Sequence, residues 1–304
     1  MAAPTVFTVP PGIAMVDALA AGLLDRCRDD PLSLGDITVL LPTRRACRSL
    51  ADAFLRQSGG AALLLPRLQP LGETDETEAM FAMEEEPAGS IADLPPAIPD
   101  LQRRLALCRL VSRTRRDADG NPPRPASAAL LAGALAELLD EVQTEGLDFA
   151  ALADLVSGDL AAHWQITLDF LRVLTDGWPA VLASLGCLDP SARRNALLGA
   201  MTESWAAHPP AGLVIAAGST GSIPATASLL TVIAHLPDGM VILPGLDTTL
   251  TAPERAAIGP THPQYGMVRL LERIGIGPEA VGIWTAGLEP SASPDRIALI
   301  RAAL

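Results

Sequence analysis

Asp36-Ile37-Thr38-Val39-Leu40-Leu41-Pro42-Thr43-Arg44-Arg45-Ala46-Cys47-Arg48 decides the architecture. Its first six residues form a short apolar run, of the length of a strand buried on both faces. Pro42 ends that strand, because it has no amide to donate to a ladder. Thr43 then caps a helix whose periodic pattern runs from Arg44 to Gln57. Strand, tight turn and helix follow one another within a few residues.

The same unit recurs on either side. Upstream, Thr5-Val6-Phe7-Thr8-Val9 is a β-rich run, Pro10-Pro11-Gly12 a turn, and residues 13–28 a helix with Ile13, Val16, Leu19, Ala20, Leu23 and Leu24 at helical spacing. Downstream, residues 61–65 are expected as a third strand leading into residues 66–71. Residues 213–217 form a strand, followed by Gly218-Ser219-Thr220-Gly221-Ser222 and a helix over 224–235. Residues 240–244 are a further strand, 265–274 a helix and 281–284 strand-like, with a helical segment over 294–304. This alternation predicts an α/β fold with a parallel sheet covered by helices on its faces.

Between the third and fourth strands the pattern changes. Residues 73–99 are acidic and proline-containing, including Glu84-Glu85-Glu86-Pro87, and are read as an exposed connection. Residues 100–207 are helical throughout, with helices expected over 100–116, 127–146, 148–155, 163–174 and 191–205. The first has an apolar stripe at Leu101, Leu105, Cys108 and Val111 with arginines on its other faces. The expected organisation is therefore an α/β domain built from 1–99 and 208–304, interrupted by an all-α insert subdomain over 100–207.

All 22 basic residues are arginine, against 35 acidic ones, for a formal net charge of −13 over 304 residues. A whole-surface duplex binder should be basic, so any nucleic-acid contact here is a local arginine patch on an acidic body. Cys27, Cys47, Cys108 and Cys187 lie far apart, which fits reduced core residues rather than a zinc site or a disulfide framework. His163, His208, His235 and His262 show no metal-ligand spacing. No signal peptide or membrane span is apparent, and a cytoplasmic protein is expected.

Three segments are placed to carry chemistry. Pro10-Pro11-Gly12 occupies the junction that holds G-x-x-x-x-G-K-[ST] in a P-loop protein, but two prolines remove amides, and neither the lysine nor the magnesium-binding hydroxyl is present. The alternative is a plain structural turn. Ser219, Thr220 and Ser222 sit in a strand-to-helix loop whose amides and hydroxyls suit a phosphate, although Ala216-Ala217 stand where a magnesium site needs acids. The same loop is not a G-x-S-x-G nucleophile elbow, and a connecting turn is its plain reading. Thr43, Arg44, Arg45 and Arg48 are the strongest nucleic-acid candidates. Cations at a helix start oppose its dipole unless an anion, or an acidic neighbour, sits nearby. The arginines Arg103, Arg104, Arg109, Arg113, Arg115 and Arg116 read as a solvated helix face, or as an edge facing DNA or another subunit.

An ordered series of motifs resembles the N-terminal region of the AddB subunits of bacterial AddAB helicase–nucleases. It comprises Val9-Pro10-Pro11-Gly12, Val39-Leu40-Leu41-Pro42-Thr43-Arg44-Arg45-Ala46, Leu64-Leu65-Pro66-Arg67-Leu68, Trp164-Gln165-Ile166-Thr167-Leu168-Asp169-Phe170-Leu171, and the run from Ala216 to Thr226. Val241-Ile242-Leu243-Pro244-Gly245-Leu246-Asp247 and His262-Pro263-Gln264-Tyr265-Gly266 complete it. The resemblance implies a RecA/P-loop-like, superfamily 1 helicase-like sheet with a degenerate nucleotide loop. It implies double-strand break repair, with the domain scanning single-stranded DNA for Chi while the AddA partner supplies translocation. AddB proteins are longer and carry a nuclease domain with an iron–sulfur cluster. The chain is thus expected to be a part of such a protein, without nuclease activity, metal or cofactor of its own. An α/β hydrolase or transferase using the 218–222 loop, and a purely structural scaffold, are the competing readings.

Overall fold

A computed structural model describes residues 3–72, 94–114, 121–147 and 173–289, together with Ser291, Asp295 and Leu299. The chain forms two compact units, Met1–Ile91 with Leu197–Leu304, and Ala92–Ala196.

The first unit is built on six strands: β1 (Val6–Val9), β2 (Thr38–Leu41), β3 (Arg67–Pro70), β4 (Val214–Ala217), β5 (Gly239–Pro244) and β6 (Gly282–Ile283). They lie in the order β3-β2-β4-β5-β1-β6, and every pairing is parallel. The sheet is RecA/P-loop-like, with β1 inside it between β5 and β6. Val39 faces Ile215 across β2–β4, and Val6 faces Val241 across β1–β5. Val214, Ile215, Ala216 and Ala217 are all buried, as expected of a strand covered on both faces.

Alternation along the strands sorts their side chains into two layers. Val9, Val39, Leu41, Ile215, Ala217, Met240 and Ile242 join one core with α1 (Met15–Arg26) and α2 (Arg44–Gln57), which contribute Leu19, Leu23, Leu50 and Phe54. An ion pair from Arg56 to Asp17, 2.6 Å long, links these two helices. The opposite face is left to the helix that follows β4, Pro224–His235, and to the helix Tyr265–Ile274, which packs on it. Right-handed crossovers require this division: connections running toward β3 lie on one face and those running toward β6 on the other.

The residues expected as a third strand, 61–65, are not in the sheet. Leu64 and Leu65 are exposed, and β3 is the next segment, with Arg67 opposite Thr38 and Pro70 opposite Leu41. The more apolar run lost because pairing partners, not local hydrophobicity, select a strand. Pro70 ends β3, as a proline must where the ladder stops.

The second unit contains α3 (Asp100–Thr114), α4 (Pro125–Thr144), a π-helical turn (Val173–Gly177) and α5 (Trp178–Leu185). In chain order there follow α6 (Pro190–Ala207), which begins in this unit and ends in the first, then α7 (Pro224–His235), α8 (Ala252–Ala257) and α9 (Tyr265–Ile274). Ile98, Leu107, Val111, Ala128, Ala132, Leu135, Leu139 and Trp178 form the second unit's core. The face buried by α3 differs from the apolar stripe read in its sequence. Arg103, Leu107 and Val111 point inward, whereas Leu101 is 70% and Leu105 52% exposed. The helix expected over 148–155, residues 163–172 of the helix expected over 163–174, residues 73–93 of the connection expected over 73–99, Arg115, Arg116, His163, the Trp164–Leu171 motif and most of 294–304 fall outside the described residues. Among the described residues no helix is long and apolar enough to cross a membrane.

Candidate nucleic-acid interface

Because all six strands are parallel, the turns at their carboxyl ends share one edge of the sheet. The chain leaves β2 toward β3 on the face of α1 and α2, and leaves the neighbouring β4 toward β5 through α7. Adjacent strands whose connections depart in opposite directions open a crevice between them, and ligands of open α/β sheets bind there. The loop before α2 and the 218–222 loop therefore flank one crevice.

The contacts at this edge are close. Gly218 turns the chain at φ +79°, and a Cβ built on it would lie 3.6 Å from the Pro42 ring and 3.5 Å from Met15 Sδ. Its amide donates to the Ile242 carbonyl at 2.9 Å. Gly221 also has positive φ and sits against the Leu270 side chain, while Gly266 lies beside the Thr220 carbonyl. The loop is thus held on one side by the β2 turn and on the other by α9.

Each expected site residue can now be placed. Thr43 Oγ1 accepts the Ala46 amide at 3.1 Å, as a helix cap. Arg44, Arg45 and Arg48 are exposed on the first turns of α2, which contain no acidic residue. Arg45 and Arg48 form no ion pair among the described residues. Ser219 and Thr220 are half-buried and Ser222 is exposed. Ser219 Oγ accepts the Gly221 amide at 3.4 Å, and the Thr220 hydroxyl donates to Ser222 Oγ at 3.5 Å. Neither serine hydroxyl is hydrogen-bonded to a histidine or carboxylate among the described residues, so the relay that activates a serine nucleophile is not assembled around them.

At the first junction, Pro10, Pro11 and Gly12 make a turn closed by a 3.4 Å bond from the Ile13 amide to the Pro10 carbonyl. Gly12 has φ +87°, and its carbonyl accepts both the amide and the hydroxyl of Ser291, at 2.8 and 2.7 Å. The helix after it starts on Ala14, Met15 and Val16, without a cation or hydroxyl. Met15 faces Gly218, so an apolar side chain stands at this side of the edge.

Three residues shape the edge through contacts that their sequence motifs do not specify. Thr8 is buried in β1; its hydroxyl donates to the Leu243 carbonyl and accepts the Leu246 amide at 2.9 Å. Gln264 donates to the Gly245 carbonyl at 3.0 Å and accepts the Asp247 amide at 3.1 Å, clamping the turn after β5. Asp247 in turn accepts the amide and hydroxyl of Thr249. The Thr8 and Gln264 bonds span 17 to 238 residues of chain, which no local motif reports.

The arginines of the helical unit need one correction. Arg103, read as part of a solvated face, is buried against Asp189 and Asp140. Arg104 pairs with Asp100 on the surface, and Arg109 and Arg113 are exposed. No protein-family model matches the chain, and no curated protein is similar enough to it to count as a relative.

Proposed function

We propose that the chain is a helicase-like subunit domain of DNA double-strand break repair that contacts single-stranded DNA and supports a separate AddA-type motor. The observation that carries this reading is the meeting of two loops across adjacent strands. Arg44, Arg45 and Arg48 stand at the start of α2, and the 218–222 loop lies beside that start. Cations such as Arg45 and Arg48, which form no ion pair among the described residues, destabilise a helix N-terminus by roughly 0.3–1 kcal/mol each, a cost that a phosphate would reverse. The amides of Ser219, Thr220 and Ser222 donate to no group among the described residues and add neutral donors for a second phosphate. No ATP hydrolysis is assigned to the domain, since a P-loop lysine, hydroxyl and acid are absent from the corresponding positions of the sequence. Repair of breaks and scanning for Chi come from the sequence resemblance.

Fluorescence anisotropy with a labelled single-stranded oligonucleotide tests the proposal. The triple variant Arg44→Glu, Arg45→Glu, Arg48→Glu should weaken binding by about ten-fold or more at low salt. Ser219→Ala with Ser222→Ala should weaken it by about 2- to 10-fold, the worth of one hydrogen bond. Undiminished binding by the arginine triple variant would remove this edge as the interface.

A further inference from the structure

On the helical unit, α3 and α5 leave an open trough of about 520 Å³. Along α3 its wall is made at positions 101, 102, 105, 106, 109, 110 and 113, one continuous stripe. At 1.5 Å per residue that stripe is about 18 Å long, or roughly three helical turns. Val181, Ser184 and Leu185 of α5 form the facing wall. The floor is aliphatic, and Leu101, Leu105 and Leu185 are 70%, 52% and 40% exposed. Arg109 and Arg113, one turn apart, rise from the same wall and pair with no acid among the described residues.

We infer that this trough is a docking site for an acidic amphipathic helix of a partner protein, independent of the DNA contact proposed above. A trough between two helices, as long as three turns and lined by aliphatic side chains, accepts a third helix through anchors at i, i+3 or i+4 and i+7. Arg109 and Arg113 select the charge of the occupant: Asp or Glu residues beside its apolar anchors would pair with both. Other occupants fit less well. A small metabolite needs convergent polar groups, and the trough supplies only Gln102 and Ser184 besides the two arginines. A single nucleic-acid strand needs donors along its whole path, and the floor of the trough is aliphatic. A bilayer surface is met by convex apolar surfaces, and this site is a concave trough between two helices.

The test uses the full chain and a displayed library of helix-forming peptides, with fixed leucines at i, i+4 and i+7 and random flanking positions. Enriched peptides should carry Asp or Glu at the flanks. Their binding should fall by about ten-fold or more in Arg109→Glu with Arg113→Glu, and should be partly restored when the peptide acids are exchanged for lysine. Leu101→Ser with Leu105→Ser, which changes only exposed side chains, should weaken the same peptides while thermal unfolding stays unchanged. Enrichment of basic or uncharged flanks, or binding indifferent to both pairs of substitutions, overturns the inference. So does a trough variant that loses affinity for phosphatidylserine vesicles or single-stranded DNA, or that turns a dimer of this chain into a monomer, with no acidic peptide selected.

Discussion

A guanidinium only 4% exposed must find its counter-charges inside the protein, and Arg103 finds two. Its Nε donates to Asp189 at 2.8 Å, and its two terminal nitrogens donate to both Asp140 oxygens at 2.9 and 3.1 Å. Asp189, wholly buried, also accepts the Trp178 indole at 2.6 Å and Gln143 at 2.9 Å. Burial opposes the charge on Arg103, but the hydrogen bonds and attraction of the two aspartates outweigh it and raise its pKa above the ordinary arginine value. A raised pKa contributes its stability fully at every pH below the unfolded value, so this contribution holds throughout the neutral range. Arg103→Met leaves Asp189 buried without its cation and should destabilise the helical unit by about 3–5 kcal/mol. Asp189→Leu should cost a similar amount, since it strands the guanidinium, the indole and Gln143. The double variant should cost less than the sum of the two, because neither charge is then left alone. Urea unfolding of the four proteins measures this cycle, and strict additivity would mean that the two residues do not act as one unit.

Helix α1 shows how an element is seated by a residue that contributes no side chain. Gly22 lies in its interior, where glycine is ordinarily about 1 kcal/mol worse than alanine. Here the indole of Trp284 occupies the space a Cβ would fill, and its Nε1 donates to the Ala18 carbonyl at 2.9 Å. The same ring packs edge-on against Phe7, with centroids 5.5 Å apart, and so joins β1, α1 and the residue after β6. Gly22→Ala should therefore destabilise by about 1–3 kcal/mol, as overpacking does, rather than stabilise the helix. Combining it with Trp284→Leu should recover part of that loss. A thermal midpoint that rises in the single variant would refute the close seat of the ring. Such contacts mark where the sequence stops being legible. The strand–turn–helix units around Leu41, Ala217 and Leu243 were readable because buried parallel strands are continuously apolar, and α2, α7 and α9 because their periodicity and their end signals, the Thr43 cap, Pro224 and Gly275, are local. The inward face of α3 was not, since Arg103 is buried only by virtue of Asp140 and Asp189, 37 and 86 residues further on. Helix α5 passed unread, being eight residues long with no polar periodicity. At the candidate site, Arg44, Arg45, Arg48 and the 218–222 loop were legible from turn chemistry; Thr8 and Gln264 depend on partners across the sheet.

At the scale of the whole molecule, a net charge of −13 sets how DNA binding should respond to salt. Affinity for a single strand falls with salt in proportion to the phosphates neutralised, with a logarithmic slope of about −0.7 for each. Three arginines on α2 should therefore give a slope of about −2, or about a 16-fold loss between about 50 and 200 mM salt. The acidic body acts in the opposite sense. Its repulsion of the strand reaches about 10 Å at 0.1 M salt and further below it, so adding salt at the dilute end also relieves a penalty. The plot of log affinity against log salt should then flatten below about 50 mM instead of remaining straight, as it would for a basic protein. In the Arg44→Glu, Arg45→Glu, Arg48→Glu variant the release of counterions is lost and the repulsion grows, so residual binding should strengthen as salt is added. Anisotropy titrations across the salt range distinguish the cases. A straight line with a slope near −5 would require more cations than this edge carries and would place the strand on another surface.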